Sequence, residues 1–289
     1  MTKPSPEHLI AFQGEPGANS DLACRAAFPD LATLPCASFE DTFAAVREGR
    51  AGRAMIPIDN SVAGRVADIH HLLPASGLHI TAEHFHRISH CLVAPPGRSL
   101  RDVQRVYSHV HALGQCRRFI AEHGLQPVVH SDTAGAARMV AASGEAGAAA
   151  IATELAAEIY GLEVLARDIE DAAHNTTRFV IMQAAADWPA AGSGDMVTTL
   201  VFQVRSVPAA LYKALGGFAT NGVNITKLES YIIDGAFTVA QFYADLEGHP
   251  DDQAMQHAIE ELDFFTASRS ILGVYPASPF RRHGHDGPA

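Results

Sequence analysis

The chain has 289 residues, 47% of them hydrophobic and 18% charged, with a formal net charge of -11. That length allows a sizeable core in one large or two to three small domains. The acidic balance disfavours a basic nucleic-acid footprint or an anionic-membrane surface, and without an apolar run of about 18 residues no membrane span is expected.

The N-terminal stretch "MTKPSPEHLIAFQG" lacks a signal-peptide core and cleavage site. "HLIAFQG" reads as a strand running into the glycine-bearing loop "GEPGANS" (14–20), and "SDLACRAAF" as a helix capped by Asn19 or Ser20. "RAMIPIDNS" (53–61) is a strand breaking into polar residues, followed by the helix "GRVADIHHLL" (64–73). "VQRVYSH" (103–109) is a strand before a helix over 110–123. "QPVVHSDTAGAARMVAAS" (126–143) gives strand, polar turn and helix. "GAAAIAT" (147–153) is a buried strand, and the helix "ELAAEIYG" ends at Gly161. The alternation predicts α/β architecture with largely parallel sheets. Its polar turns fall at the carboxyl ends of strands, where such sheets bind ligands and helix N-termini favour anions.

"AAADWPAAGSGDM" (184–196) is a linker by composition. Beyond it come the strand "VTTLVFQV", the helix "PAALYKALGGFATNG", and two strands joined by the turn Asp234-Gly235. The helix "DDQAMQHAIEEL" and the strand "RSILGVY" complete a ferredoxin-like βαββαβ order. The tail after residue 277 reads as disordered.

Four scattered cysteines (24, 36, 91 and 116) form no CxxC pair, which argues against a zinc or thioredoxin-like motif and fits a reducing cytoplasm. His84/His86 and His109/His111 are close pairs without an HExxH pattern, so no metal is expected. A Ser/His/Asp hydrolase lacks a GxSxG elbow. "GEPGANS" is not GxGxxG, although its glycines would let a backbone approach a ligand. "PIDNSVAGRV" (57–66), "SHVHALGQC" (108–116) and "SDTAGAA" (131–137) each read either as helix caps or as ligand turns, and "NTTRF" (175–179) either as a strand start or as the chemical end of a pocket.

Taken in order, these stretches and "LESY" resemble the prephenate dehydratase family over residues 9–276. The resemblance implies a two-lobed, periplasmic-binding-protein-like (type II) catalytic region over 7–184, with its second lobe at about 83–167. A linker at 185–196, a ferredoxin-like ACT regulatory domain over 197–277 and a tail at 278–289 would follow. It also implies a carbon–oxygen lyase of phenylalanine biosynthesis that turns prephenate into phenylpyruvate, carbon dioxide and water without a cofactor. Such a protein would be a cytoplasmic homodimer or homotetramer with L-phenylalanine as effector. By the same resemblance Thr177 meets the departing oxygen, Arg178 clamps a carboxylate, Asn60, Ser61, Ser108 and His109 orient substrate, and Thr133 and Ala134 supply a helix-start anion site. Leu211, Asn224, Glu229 and Ser230 would line a phenylalanine site. Arogenate dehydratase, a non-catalytic amino-acid-binding regulator and a phosphoribosyltransferase are the alternatives, the last weakened by the lack of an acidic diphosphate–metal motif.

Several positions depart from the family pattern. Asp59 stands for Glu, Asp132 for Ser, "PAAL" (208–211) for Pro-Gly-Ala-Leu and "ESYI" (229–232) for Glu-Ser-Arg-Pro. The strand geometry of "NTTRF" poses a separate choice. Successive side chains of a regular strand face opposite sides. Thr177 and Arg178 can therefore share a cleft only if regular pairing begins near Phe179; otherwise the residue sharing a side with Arg178 is Thr176.

Overall fold

A computed structural model describes residues 5–232 and 240–283. The predicted Asp234-Gly235 turn and the end of the tail lie outside the described residues. The chain divides into two compact units, one within Met1–Val66 and His84–Phe179, the other within Ala67–Glu83 and Val180–Ala289. Residues 67–83, expected in the catalytic region, therefore pack with the C-terminal half.

In chain order the elements are β1 (Leu9–Gln13), α1 (Asn19–Ala27), β2 (Ala32–Cys36), α2 (Phe39–Arg47), β3 (Arg53–Asn60), β4 (Gly64–Arg65), α3 (Ala67–Leu72), β5 (His79–Arg87) and β6 (Cys91–Ala94). Then come β7 (Arg105–Ser108), α4 (Val110–Gln115), α5 (Arg117–Glu122), β8 (Gln126–Val129), α6 (Thr133–Ser143), β9 (Ala148–Ala152), α7 (Glu154–Tyr160), β10 (Glu163–Ala166) and β11 (Thr176–Gln183). The C-terminal elements are β12 (Met196–Val204), α8 (Ala210–Thr220), β13 (Ile225–Ile232), β14 (Ala240–Glu247), α9 (Gln253–Phe265), β15 (Thr266–Pro276) and α10 (Phe280–His283).

The first unit holds two sheets. In one, β1 lies between β2 and β3, parallel to both. The short β4 folds back antiparallel on the end of β3. That turn replaces the first part of the helix expected over 64–73, so α3 begins only at Ala67. The other sheet has the order β10-β6-β9-β7-β8. It is mixed: β7 is parallel to β8 and β9, while β6 is antiparallel to β9 and β10. The predicted run at 147–153 forms its fully buried centre, β9, as apolar sequence without alternation requires. The helix expected over 110–123 breaks at Cys116 into α4 and α5.

Two local expectations fail for clear reasons. α1 is preceded by Ala18 with no side-chain cap, so neither Asn19 nor Ser20 is its cap. In the "GEPGANS" loop, Gly17 (φ +86°) approaches helix α7 rather than a ligand. A Cβ there would sit 2.7 Å from the Ala156 Cα. Asp21, fully buried, accepts from the Gly17 N–H at 2.8 Å and fixes that close packing.

The second unit carries the strand order β13-β14-β12-β15, antiparallel throughout, with β5 parallel to β15 at Gly273–Ile80. With α8 and α9 this is the expected βαββαβ order, and the helices cover one sheet face around Leu200, Phe202, Phe218, Phe242 and Leu262. α8 starts after Ala209, whose φ of +61° lies in the left-handed region. This is the position where the family pattern has glycine. The tail does not begin disordered, because α10 follows Pro276 closely. Its Arg281 forks onto Glu83 at 2.6 and 2.9 Å.

Candidate active site

The end of β3 and the start of β11 build the polar centre of the first unit. Asn60, the last residue of β3, determines its orientation. Its Oδ1 accepts from the Val62 and Ala63 backbone N–H groups at 3.0 and 2.7 Å. A backbone N–H can only donate, so this atom is oxygen and the other is Nδ2. Nδ2 then donates to Asn175 Oδ1 at 2.8 Å and to Thr177 Oγ1 at 2.9 Å. Thr177 therefore accepts from Asn60 and keeps its own hydroxyl hydrogen, which meets no acceptor among the described residues.

β11 is regular from Thr176 onward, so the turn expected to run to Phe179 does not exist. Thr177 and Arg178 consequently take opposite faces, and their partners agree. Thr177 meets Asn60, whereas Arg178 lies 3.8 Å from Asp59, the preceding residue of β3. Arg178 is 6% exposed. The two residues do not enter one cleft side by side, which removes the expected pairing of a Thr177 donor with an adjacent Arg178 clamp.

Of the other expected positions, Ser61 clips the strand ends together. Its Oγ donates to the His174 carbonyl at 2.8 Å and accepts from Thr176 N–H at 2.9 Å. Ser108 is fully buried and donates to the Ile151 carbonyl at 2.6 Å, so it joins two strands and presents no surface to a ligand. His109 caps α4, accepting from His111 N–H at 3.3 Å; burial first, then the neighbouring His111, lowers its pKa. Thr133 and Ala134 open α6, but Asp132 caps that helix through Gly135 N–H at 2.6 Å. The Asp132 carboxylate offsets part of the positive potential there.

Three contributors were not singled out beforehand. Gln115, at the end of α4, reaches Asn60 Oδ1 from its Nε2 at 3.5 Å. Its Oε1 faces His90 Nε2 at 2.8 Å. Since Gln115 donates to Asn60, its oxygen accepts from His90, which fixes the Nε2–H tautomer. Burial lowers the His90 pKa, so the ring is neutral near pH 7. Asn175 is the third. Gln115 and Asn175 stood inside the quoted "SHVHALGQC" and "NTTRF" stretches, while nothing near His90 marked it. The side chains of Asn60, Gln115, Asn175, Thr177 and His90 are uncharged and rich in oriented donors, and the Glu170 carboxylate beside them accepts from the His90 backbone N–H at 2.9 Å. This centre can receive an anion and donate to one of its oxygens.

Residues 10–187 match the family model described as prephenate dehydratase. The chain belongs to the prephenate dehydratase family. It is 56% identical over 277 residues to the bifunctional N-acyl-homoserine lactone acylase/prephenate dehydratase of Komagataeibacter europaeus, covering 96% of this chain and 98% of that one. It is 38% identical to arogenate dehydratase/prephenate dehydratase 1, chloroplastic, of Arabidopsis thaliana, over 92% of this chain and 71% of that protein. Among solved structures, the prephenate dehydratase from Arthrobacter aurescens in complex with L-Phe superposes with a TM-score of 0.84. It shows 31% identity and covers 97% of this chain and 92% of its own. The family's matched segment contains every residue of the neutral polar centre.

Proposed function

We propose that the chain is a carbon–oxygen lyase that converts prephenate into phenylpyruvate, carbon dioxide and water. Family membership supports the reaction, and the single structural observation that carries it is the Thr177 hydroxyl, fixed by Asn60 as an acceptor and therefore a donor toward the ligand. The ring carboxylate leaves as carbon dioxide, and the electron pair of its C–C bond completes the aromatic ring. The C–O bond breaks, and the oxygen takes up one proton and departs as water. The dianion plus a proton thus becomes a monoanion, carbon dioxide and water, with no further reactant. Charge grows on the departing oxygen, so a donor already aimed there stabilises the transition state more than the ground state. The backbone N–H groups of Thr133 and Ala134, with His109, are the proposed contacts for a carboxylate, because Arg178 is engaged with Asp59. Asn60 acts on Thr177 and not on substrate.

The C-terminal βαββαβ module is inferred to be an ACT domain that responds to L-phenylalanine and pairs copies into a homodimer or homotetramer in the cytoplasm. The Arthrobacter aurescens complex supports the effector. The expected contact set needs revision. Glu229 and Ser230 pair with Tyr243 and Phe242, on opposite sheet faces. Asn224 donates to Glu247 at 2.9 Å, and Leu211 packs on the helix-side core. Ser230 and Leu211 can therefore share a helix-side site, while Glu229 pairs with Lys227 at 3.3 Å on the other face. Titration with L-phenylalanine, following rate and sedimentation, tests this; no change in either removes the sensor.

The activity itself is tested by comparing kcat/KM on prephenate and arogenate. Turnover of prephenate with the higher kcat/KM is expected; a higher value on arogenate would make the chain an arogenate dehydratase. A second reading, N-acyl-homoserine lactone hydrolysis, rests on the 56% identity to the bifunctional relative. Release of free fatty acid from such a lactone would establish it as an additional activity.

A further inference from the structure

Asn175 is 1% exposed, and its Nδ2 is buried with no hydrogen-bond partner among the described residues. The assignment of that nitrogen is not arbitrary. Asn60 Nδ2 is fixed as a donor by the two backbone N–H groups on Asn60 Oδ1, so the Asn175 atom facing it must be oxygen. The carboxamide cannot turn over without setting two donors against each other. Its backbone is equally held: the Asn175 carbonyl accepts from Ile88 N–H at 2.8 Å and its N–H donates to Ala172 at 3.2 Å. An unpartnered buried N–H costs about 1–3 kcal/mol, and here it stands beside the Thr177 hydroxyl, whose hydrogen is also unengaged among the described residues. Both side chains accept from the same Asn60 nitrogen, which sets them next to each other.

We propose that Asn175 Nδ2 is a second donor to the departing oxygen, forming with the Thr177 hydroxyl a two-donor cradle for it. This rests on the prephenate reading above. The leaving oxygen has two lone pairs and gains charge as the C–O bond breaks, so it can accept from more than one donor. Thr177 and Asn175 supply one each. A donor already stripped of water and held by Asn60 needs no reorganisation when that charge appears. The proton that completes the water comes from solvent, and neither side chain changes its net protonation state.

Asn175→Asp tests the cradle, because an ionised carboxylate keeps the acceptor that Asn60 needs and removes the donor, whereas a protonated carboxyl restores both. With prephenate as substrate, kcat/KM relative to wild type at the same pH is expected to fall about 10²-fold at neutral pH. It should recover as pH falls through the raised pKa of the introduced, buried carboxyl. Asn175→Leu should lose activity at every pH. Wild-type kcat/KM in Asn175→Asp at neutral pH, or a loss that acid does not reverse, overturns the proposal while leaving the reaction assignment intact. If Asn175→Asp does not fold, Asn175→Ser takes its place, with a lower kcat and little change in KM expected and wild-type kcat overturning it. A wild-type chain inert toward prephenate sinks the reaction assignment and the cradle together.

Discussion

Two buried polar networks, one in each unit, differ in how completely they are satisfied. In the C-terminal unit, Glu83, fully buried, receives both arms of Arg281 and the Ser278 N–H at 2.9 Å. Arg281 also donates to Thr226 Oγ1 at 3.0 Å, and Thr199 links Asp245 at 2.6 Å to the Tyr275 hydroxyl at 2.7 Å. In the N-terminal unit, Asn60 is fully engaged, but the Thr177 hydroxyl hydrogen and the Asn175 Nδ2 meet no acceptor in the described protein. The first arrangement holds a fold together. The second has donors left over, which is the basis of the proposed oxygen contact. Both are buried and both are polar, so burial and polarity do not separate a staple from a site; two unengaged donors on one shared partner, Asn60, set the second apart.

The contrast can be broken at either end. Removing one partner of a satisfied buried pair leaves a bare charge, so Arg281→Ala should destabilise by about 3–5 kcal/mol in urea unfolding. Adding Glu83→Gln should recover part of that loss, and an unchanged midpoint in Arg281→Ala would mean the fork is not structural. Thr177→Val should leave folding nearly unaltered but cut kcat by about 10²–10³ with KM little moved; equal losses in stability and kcat would make Thr177 another staple. A smaller effect comes from His86, on β5, whose pKa burial and the neighbouring His84 lower to about 4. The folded state resists protonation that the unfolded chain accepts below its usual 6.5. Stability is therefore present at neutral pH and lost as pH falls from about 6.5 toward about 4, by about 3 kcal/mol. His86→Gln should flatten that slope in a melting series. The smallest effect is at Ala209, where glycine relieves a left-handed φ of +61°: Ala209→Gly should stabilise by about 1 kcal/mol. A lower melting temperature would show that Pro208 or the helix start governs the site instead.

The elements with strong local signals were legible in the sequence. The all-alanine and isoleucine run of β9, the Gly161 stop of α7 and the βαββαβ order after residue 196 follow from burial period and turn chemistry. Less legible was anything set by contacts distant in sequence. Nothing local says that "GRV" turns back on β3, that residues 67–83 pack with the C-terminal half, or that Arg281 finds Glu83. At the site, the strand-to-helix turns were visible but their division of labour was not. Ser61, Ser108 and Thr177 are all small hydroxyl residues at strand ends, and only the third has a hydroxyl hydrogen that no described residue accepts. That Thr177 rather than Thr176 meets a side chain of β3 likewise depends on Asn60, 117 residues away.

The split of Thr177 and Arg178 onto opposite faces of β11 has a consequence for how the sequence can change. One row of side chains, Asn60 with Thr177 and Asn175, forms the proposed donor set; the other, Asp59 with Arg178, links the same two strands on the opposite face. Substitutions within a row share partners and should be strongly epistatic, while substitutions across rows should combine almost independently. A lineage could then redraw the chemistry of its cleft without loosening the strand that carries it, although the residues involved are immediate neighbours in the chain.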